Sequence, residues 1–389
     1  MIRMNYNLNE EQQELVNIAR QIAEEKIKPI RAKVDEEQSF PREIVDIVGK
    51  SDLYRVFIPE EYEGLGMGVL EMALVTEELS RVCGGISLAY AGSALGAFPI
   101  ILHGSDEQKK KYLPRIASGE SIAAFALTEP DAGSDASNIR TTATKDGDHY
   151  ILNGTKQWIT NGGEADILTV FANVYPKKGI RGICCFIVES SYEGFEASKK
   201  EDKLGIRGSD TRELVFNECR VPAENLIGRE GRCHKIAMDT FDQSRPGVAA
   251  QAVGIAQGAF EEALKYAHER VQFKKKIYSN QAVSHMIADM AIKIEASRSL
   301  VYNVAKLIDN GEKGTGGYSA MAKTFASDVA MEVTTDAIQV LGGYGYMKEY
   351  PVEKMFRDAK ITQIYEGTNQ IQREVIAHHL AKELSRLKK

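Results

Sequence analysis

Cysteine is scarce in this chain. Its 389 residues hold five, Cys83, Cys184, Cys185, Cys219 and Cys233, odd in number, scattered, and without a C-x-x-C spacing. That pattern argues against a disulfide framework or a structural zinc site and for a reducing compartment, the cytoplasm, most simply of a bacterium. No uninterrupted apolar run approaches the roughly 20 residues that a membrane span requires. Residues 1–11 lack both an apolar leader core and an Arg/Ser-rich transit character. Basic charge is not in excess either: a net charge of −6 and a pI near 5.8 weigh against nucleic acid or an anionic membrane as a general partner. Fixed-period repeats and low-complexity segments are missing.

What is there is an ordinary globular composition, 43% hydrophobic and 27% charged. The length exceeds what one core usually reaches, so two or three packed units are expected. The pattern reads helix-rich, then strand-rich, then helix-rich, with units at 1–120, 121–230 and 231–389. In the first, Leu15, Ile18, Ile22, Ile44, Ile47 and Val48 recur at helical spacing. Asn9 with Gln12 resembles a capping box, and Pro29, Pro41, Pro59 and the glycines of 64–68 separate several helices. In the second, Asp146-Gly147 between two β-prone runs predicts a hairpin, and Asn153-Gly154 predicts a second turn. Leu168, Val170, Ala172 and Val174 alternate as on a half-buried strand, and 183–188 reads as a buried one. In the third, long stripes such as Val253, Ala256, Phe260, Leu264, Ala267 and Val271 predict an antiparallel helical bundle, with 311–317 as a connector.

Three motifs mislead. Gly49-Lys50-Ser51 ends like a phosphate loop, but Ile44 stands where the first glycine is required. The glycines of 64–68 miss the spacing of a dinucleotide fingerprint and follow a poor strand end. His378-His379 have no further ligand at metal spacing, so no metal is expected.

Four separated segments carry chemistry. Phe125, Leu127 and Thr128 run from a strand into a Gly/Ser/Asp loop with Gly133 and Ser134, which supplies amides and hydroxyls for a polar ring edge or a phosphate, or forms a plain Asx turn. Trp158, the only tryptophan, with Ile159, Thr160 and Asn161, suits one face of a flat aromatic site. Asp242-Gln243-Ser244-Arg245-Pro246 reads as the opening of a long helix, Pro246 in its first turn. At the other end of that helix Arg270 suits either a helix C-terminus or a pyrophosphate. The fourth runs from Gln339 with Gly342 and Gly343, where a ligand can approach the backbone, to Ile364-Tyr365-Glu366-Gly367-Thr368-Asn369-Gln370. Alone, Glu366 would read as a surface acid.

In this order and spacing the segments resemble the acyl-CoA dehydrogenase family over essentially the whole chain, nearest its short- and medium-chain and butyryl-CoA dehydrogenase branches. The resemblance implies an α+β multidomain fold: an N-terminal helical domain, a central β-barrel-like domain and a C-terminal four-helix bundle. It implies FAD at the domain junction and a homotetramer or homodimer. Phe125, Leu127, Thr128, Gly133 and Ser134 would line the flavin or the CoA end of the site, and Trp158, Ile159 and Thr160 would contact the ring. Arg270, Phe273, Gln281, Gln339, Gly342 and Gly343 would bind the adenine dinucleotide part, partly across a subunit interface, with Thr368 and Gln370 closing over it. Asp242, Arg245, Ser134, Tyr365 and Gly367 would lie near substrate. Glu366 would take the α-proton of an acyl-CoA thioester while the β-hydrogen leaves as hydride to flavin N5, electrons then passing to an electron-transferring flavoprotein. Burial by the acyl chain should raise the pKa of Glu366. Relatives of the isovaleryl type carry their glutamate just before the arginine, where this chain has Ser244.

Two features depart from the family or narrow it. Lys274 and Lys276 replace a glycine and a proline beside the pyrophosphate, which leaves that loop's geometry open and adds charge suited to a phosphate. Tyr90, in the segment expected to floor the pocket, would limit the acyl chain to short or modest length. The same machinery run backwards is an enoyl-CoA reductase. A nucleic-acid-binding member of the fold is disfavoured by the acidic balance and by the lack of a basic extension beyond Arg386-Leu387-Lys388-Lys389.

Overall fold

Asn9 opens the first helix as its spacing predicts. Its side chain accepts from the Gln12 N–H at 2.8 Å, and the Gln12 side chain accepts from the Asn9 N–H at 3.0 Å, satisfying two donors that a helix start would orphan. The computed structural model describes Met4 and residues 6–387. The expectations about a leader and about a basic tail rest partly on residues 1–3, 5, 388 and 389, outside the described residues. Helix α1 (Glu10–Ile22) buries Leu15, Val16, Ala19 and Ile22. It is followed by α2 (Arg31–Glu37), α3 (Arg42–Lys50), α4 (Val69–Val82), α5 (Gly84–His103) and α6 (Asp106–Ala117).

The apolar runs hold a surprise in α5. At 20 residues, with an 18-residue window of mean hydropathy 1.6, it is long and apolar enough to cross a membrane, yet 78% of that window is buried inside the protein. Glycines and serines interrupt the apolar run without adding charge, so counting apolar residues alone overlooks it. It packs against α4, α6, α7 (His234–Glu269) and strand β1 (Ala123–Ala126), and a helix apolar all round is what such a place requires.

The middle of the chain is a sheet. To β1 are added β2 (Thr142–Asp146), β3 (His149–Thr160), β4 (Ile167–Asn173), β5 (Ile183–Glu189), β6 (Phe195–Lys200), β7 (Thr211–Pro222) and β8 (Leu226–Ile227). Their order is β6-β7-β3-β2-β4-β5-β8, with β1 parallel to β4. The Asp146-Gly147 hairpin forms, Asp146 facing His149. Asn153-Gly154, expected to turn, instead lies inside β3 at a bulge against β7. Asn153 exchanges two hydrogen bonds with Glu218 of β7, at 2.7 and 2.8 Å, and Gly154 takes φ 148° where a Cβ would lie 2.6 Å from Thr141 Oγ1. The pair therefore kinks the strand without reversing it. Strand β4 is buried at all seven positions rather than alternating, because α5 covers one of its faces; the Thr169 hydroxyl donates to the Gly96 carbonyl of α5 at 3.2 Å.

The C-terminal bundle consists of α7, α8 (Gln281–Asp309), α9 (Gly316–Leu341) and α11 (Asn369–Leu387), with the short α10 (Val352–Ile361) preceding the last. A hairpin of β9 (Val271–Gln272) and β10 (Lys275–Lys276) joins α7 to α8. At 36 residues α7 runs about 54 Å. Asp242 to Pro246 do not open it: the helix starts at His234 and carries Pro246 inside. A proline there leaves the carbonyl four residues back without its helical donor. That carbonyl, of Asp242, accepts from the Ser319 hydroxyl of α9 at 2.9 Å, which is why the helix continues. On the next turns, a Cβ at Gly254 or Gly258 would lie 2.3 or 2.0 Å from the Glu77 or Arg81 carbonyl of α4. These two glycines let α4 and α7 meet backbone to backbone, tying the N-terminal helices to the bundle.

Candidate active site

Between α5, α7, the ends of β1 and β3, and the turn between α10 and α11 lies a cavity of about 340 Å³. A buried ion pair sets its strand wall. The Lys156 ammonium of β3 donates to Glu129 Oε1 at 2.7 Å and to the Leu127 carbonyl at 3.0 Å. The Glu129 carboxylate also accepts the N–H groups of Arg140 and Thr141, at 2.5 and 2.9 Å. A buried charge is tolerable only when paired and hydrogen-bonded in this way, and here the pairing locks the loop after β1 to β3. A further bond from the Gln157 N–H to the Thr128 carbonyl (2.9 Å) continues the seam. Trp158 then takes φ 57° at a second bulge between Lys156 and Ile159. The indole is thereby turned into the open, 57% exposed, on the cavity wall.

The opposite wall carries Glu366. Its φ of 49° and the φ of 91° at Gly367 make a left-handed turn, which costs a non-glycine residue about 1–2 kcal/mol. Several donors hold it there. Gln372 Nε2 donates to the carbonyls of both Glu366 and Gly367 at 2.9 Å, and Lys323 Nζ donates to the Gly367 carbonyl at 2.9 Å. The neighbouring Tyr365 hydroxyl donates to Gln251 of α7, whose amide donates on to the Gly84 carbonyl at 2.9 Å. The Glu366 carboxylate itself accepts from the Ser244 hydroxyl at 2.5 Å. Burial pushes its pKa up; the Ser244 bond and the charges of Arg245 and Lys323 offset part of this, and the net direction is upward. The result is a carboxylate poised as a proton acceptor in an apolar cavity.

The cavity brings together Phe125, Leu127, Thr128, Gly133, Ser134, Trp158, Ile159, Thr160, Arg245, Tyr365, Glu366 and Gly367, residues drawn from all four segments. Asp242 stands beside it, 3.5 Å from Arg245. Tyr90 does not reach it. Leu88, Ala91, Gly92 and Leu95 form the stripe of α5 that lines the cavity, and Tyr90 lies off that stripe, packed against the rings of Tyr54 and Phe57 at 5.9 and 5.6 Å. The segment was right and the helical face wrong. Thr368 Oγ1 accepts from the Ile371 N–H at 3.3 Å at the start of α11, and Gln370 is exposed on that helix.

The other predicted residues sit elsewhere. Arg270, Gly342 and Gly343 line a second, shallower cleft, the Arg270 guanidinium lying 5.3 Å over the Tyr344 ring. Gln281 and Gln339 are exposed at helix ends, and Phe273 is 91% exposed at the tip of the β9–β10 hairpin. Arg245 and Arg270 are 25 positions apart, about 38 Å along α7. The lysine substitutions leave the hairpin intact: Phe273 and Lys274 take φ 49° and 65° and form its two-residue turn without glycine. Beta carbons at Gly133, Gly342 and Gly343 would meet nothing within 4 Å, so backbone there is open to a ligand.

Sequence reasoning missed Ser244 as the partner of Glu366, and missed Gln251, Gln372 and Lys323 altogether. A signal existed only for Lys323, a lone charge on the buried stripe of α9 with Ala320, Ser327 and Ala330.

Comparison with known proteins follows the same three parts. Residues 9–120, 124–219 and 232–381 match the profiles of the acyl-CoA dehydrogenase N-terminal, middle and C-terminal domains. The solved butyryl-CoA dehydrogenase of Megasphaera elsdenii superposes with a TM-score of 0.95 at 45% identity, covering 97% of this chain and 100% of that one. A chain solved in work on the electron transferring flavoprotein of Acidaminococcus fermentans and flavin-based electron bifurcation gives 0.95 at 50% identity, covering 97% and 99%. The acryloyl-CoA reductase (NADH) of Anaerotignum propionicum is 46% identical over 384 residues, 98% of this chain and 97% of that protein.

Proposed function

Because the chain belongs to the acyl-CoA dehydrogenase family, a family of FAD-dependent oxidoreductases, we propose that it dehydrogenates a short, uncharged acyl-CoA thioester at its α and β carbons, with Glu366 as the base. The observation that carries this reading is the Glu366 carboxylate, set in an apolar cavity on a strained turn and held by Ser244. Ionised Glu366 removes the α-proton, and its own N–H is the donor we assign to the thioester oxygen, where negative charge develops. Bound FAD supplies the hydride acceptor. Trp158, Ile159, Thr160, Phe125, Leu127, Thr128, Gly133 and Ser134 are the residues we assign to the flavin and the near end of CoA. The exposed indole and the open space at Gly133 fit a flat ring with hydrogen-bonding edges.

Two features support a short, uncharged acyl group. Arg245 is the one permanent cation on the cavity lining among the described residues, and it is engaged by Asp242 and by the Glu366 carbonyl at 3.5 Å each. The lining His234 is pushed toward its neutral form by burial. A second carboxylate on the substrate would therefore lack a free counter-charge. The likeness to a butyryl-CoA dehydrogenase supports short length.

The Arg270 cleft lies about 38 Å along α7 from Arg245 on the cavity wall, too far for one dinucleotide with its ring in the cavity to reach Arg270 of the same chain. We therefore assign Arg270, Phe273, Gln281, Gln339, Gly342 and Gly343 to the FAD of a second copy, in a homotetramer or homodimer, and keep Thr368 and Gln370 as cofactor contacts. An electron-transferring flavoprotein is the proposed acceptor, on the likeness to the Acidaminococcus chain. The likeness to an acryloyl-CoA reductase makes the reverse direction the second reading. The five cysteines, all free and buried, keep the cytoplasm as the proposed compartment.

Anaerobic titration of the purified holoprotein with butyryl-, octanoyl-, palmitoyl- and glutaryl-CoA tests the proposal. The flavin absorbance should bleach with butyryl-CoA most efficiently and not with glutaryl-CoA. A flavin that no thioester bleaches would sink it.

A further inference from the structure

Lys323 stands on α9 with its side chain fully buried, on a stripe otherwise made of Ala320, Ser327 and Ala330. Burying an ammonium among small apolar groups is strongly unfavourable unless something specific receives it. Here Nζ donates to the Gly367 carbonyl and to Asn369 Oδ1, both at 2.9 Å. Asn369 is fixed in turn by Asp328 and Ser327, at 2.7 and 2.9 Å. Both acceptors of the lysine thus lie within three residues of Glu366. The charges that act on it are Glu366 on the turn, Arg245 on α7 and Asp328 on α9 itself, the last paired with Arg373 of α11 at 3.0 Å. Burial draws Lys323 down to about 7, with Glu366 pulling it back up and Arg245 pushing it down; in the other direction, the lysine charge lowers the pKa of Glu366.

We propose that Lys323 is a positioning residue for the base: from beneath the Glu366–Gly367 turn it fixes the direction of the carboxylate and favours its ionised form. This rests on the reading of Glu366 as base. Lys323 touches the carbonyl of the next residue rather than the carboxylate, so it acts through the turn and through its charge. Two groups coupled in this way titrate as a pair. Flavin reduction in the wild type should follow the protonation of Glu366 and Lys323 together, and without the lysine it should follow Glu366 alone.

The test is the pH profile of flavin reduction by butyryl-CoA, by anaerobic stopped flow on FAD-loaded wild type, K323Q and K323M. K323Q keeps a donor for the Gly367 carbonyl and loses the charge. Its midpoint should move to higher pH, since a carboxylate deprived of a nearby cation holds its proton longer. K323M loses donor and charge, and its plateau should fall further than that of K323Q, by about 100-fold if the carboxylate drifts by an ångström. Should K323M fail to fold, the K323Q profile alone decides. A K323Q midpoint that coincides with the wild type overturns the proposal and leaves Glu366 as base untouched. A wild-type flavin that no thioester reduces strikes the base assignment instead.

Discussion

The two ends of α7 make opposite kinds of site. Near Arg245 the helix faces a cavity closed by four other parts of the same chain, and paired polar groups brace its walls: Lys156 for Glu129, Ser244 for Glu366, Gln372 for the turn. Near Arg270 the same helix ends in an open cleft beside an exposed hairpin, with Phe273 in solvent. The first site is built to hold a reacting group still, because one chain supplies both walls. The second is open, its glycines and aromatics exposed, and the proposed second copy with its FAD would cover it.

Changes at the two ends should therefore fail differently. E366Q is the largest expected effect: flavin reduction by substrate should fall about 10²–10⁴-fold, the usual worth of a general base, with FAD retained at wild-type occupancy. Reduction within tenfold of wild type would remove Glu366 from its role. R270A should do the reverse. Losing a charge-assisted hydrogen bond of roughly 1.5–3 kcal/mol should weaken FAD retention, read by flavin release on dilution, while each flavin that stays bound is reduced at the normal rate. Unchanged retention would separate the cleft from the cofactor. A smaller effect is expected at the hairpin beside the cleft: K274G relieves a left-handed lysine and should raise stability by about 1 kcal/mol, seen as a higher melting temperature with unchanged catalysis. Smallest is Y90F. The Tyr90 hydroxyl is buried without a partner among the described residues, so its removal should be neutral or slightly stabilising and should leave the acyl-length preference where it was. A shift toward longer chains would return Tyr90 to the pocket.

Much of the fold was legible before any contact was known. The Asn9 cap, the Asp146-Gly147 hairpin and the helical stripes are local signals, each satisfied by neighbours in sequence. Two of the misreadings share one cause. Asn153-Gly154 reads as a turn and Pro246 as a helix start when only adjacent residues are considered. Glu218 and Ser319, 65 and 73 positions away, turn the first into a bulge and let the helix run through the second. Tyr90 failed differently: its helix was expected in the right place, but which face of an all-apolar helix meets a cavity depends on what packs against the other faces.

By itself, then, the sequence determined the three-part architecture, the family likeness, and the candidacy of Glu366, because helix and strand periods and motif order are properties of the chain alone. Tertiary structure decided how that glutamate is equipped. Its hydrogen bond to Ser244 spans 122 positions and the bond from Lys323 to the adjoining carbonyl spans 44. The upward direction of its pKa follows from burial and from charges on other elements, quantities that do not exist until the elements are packed.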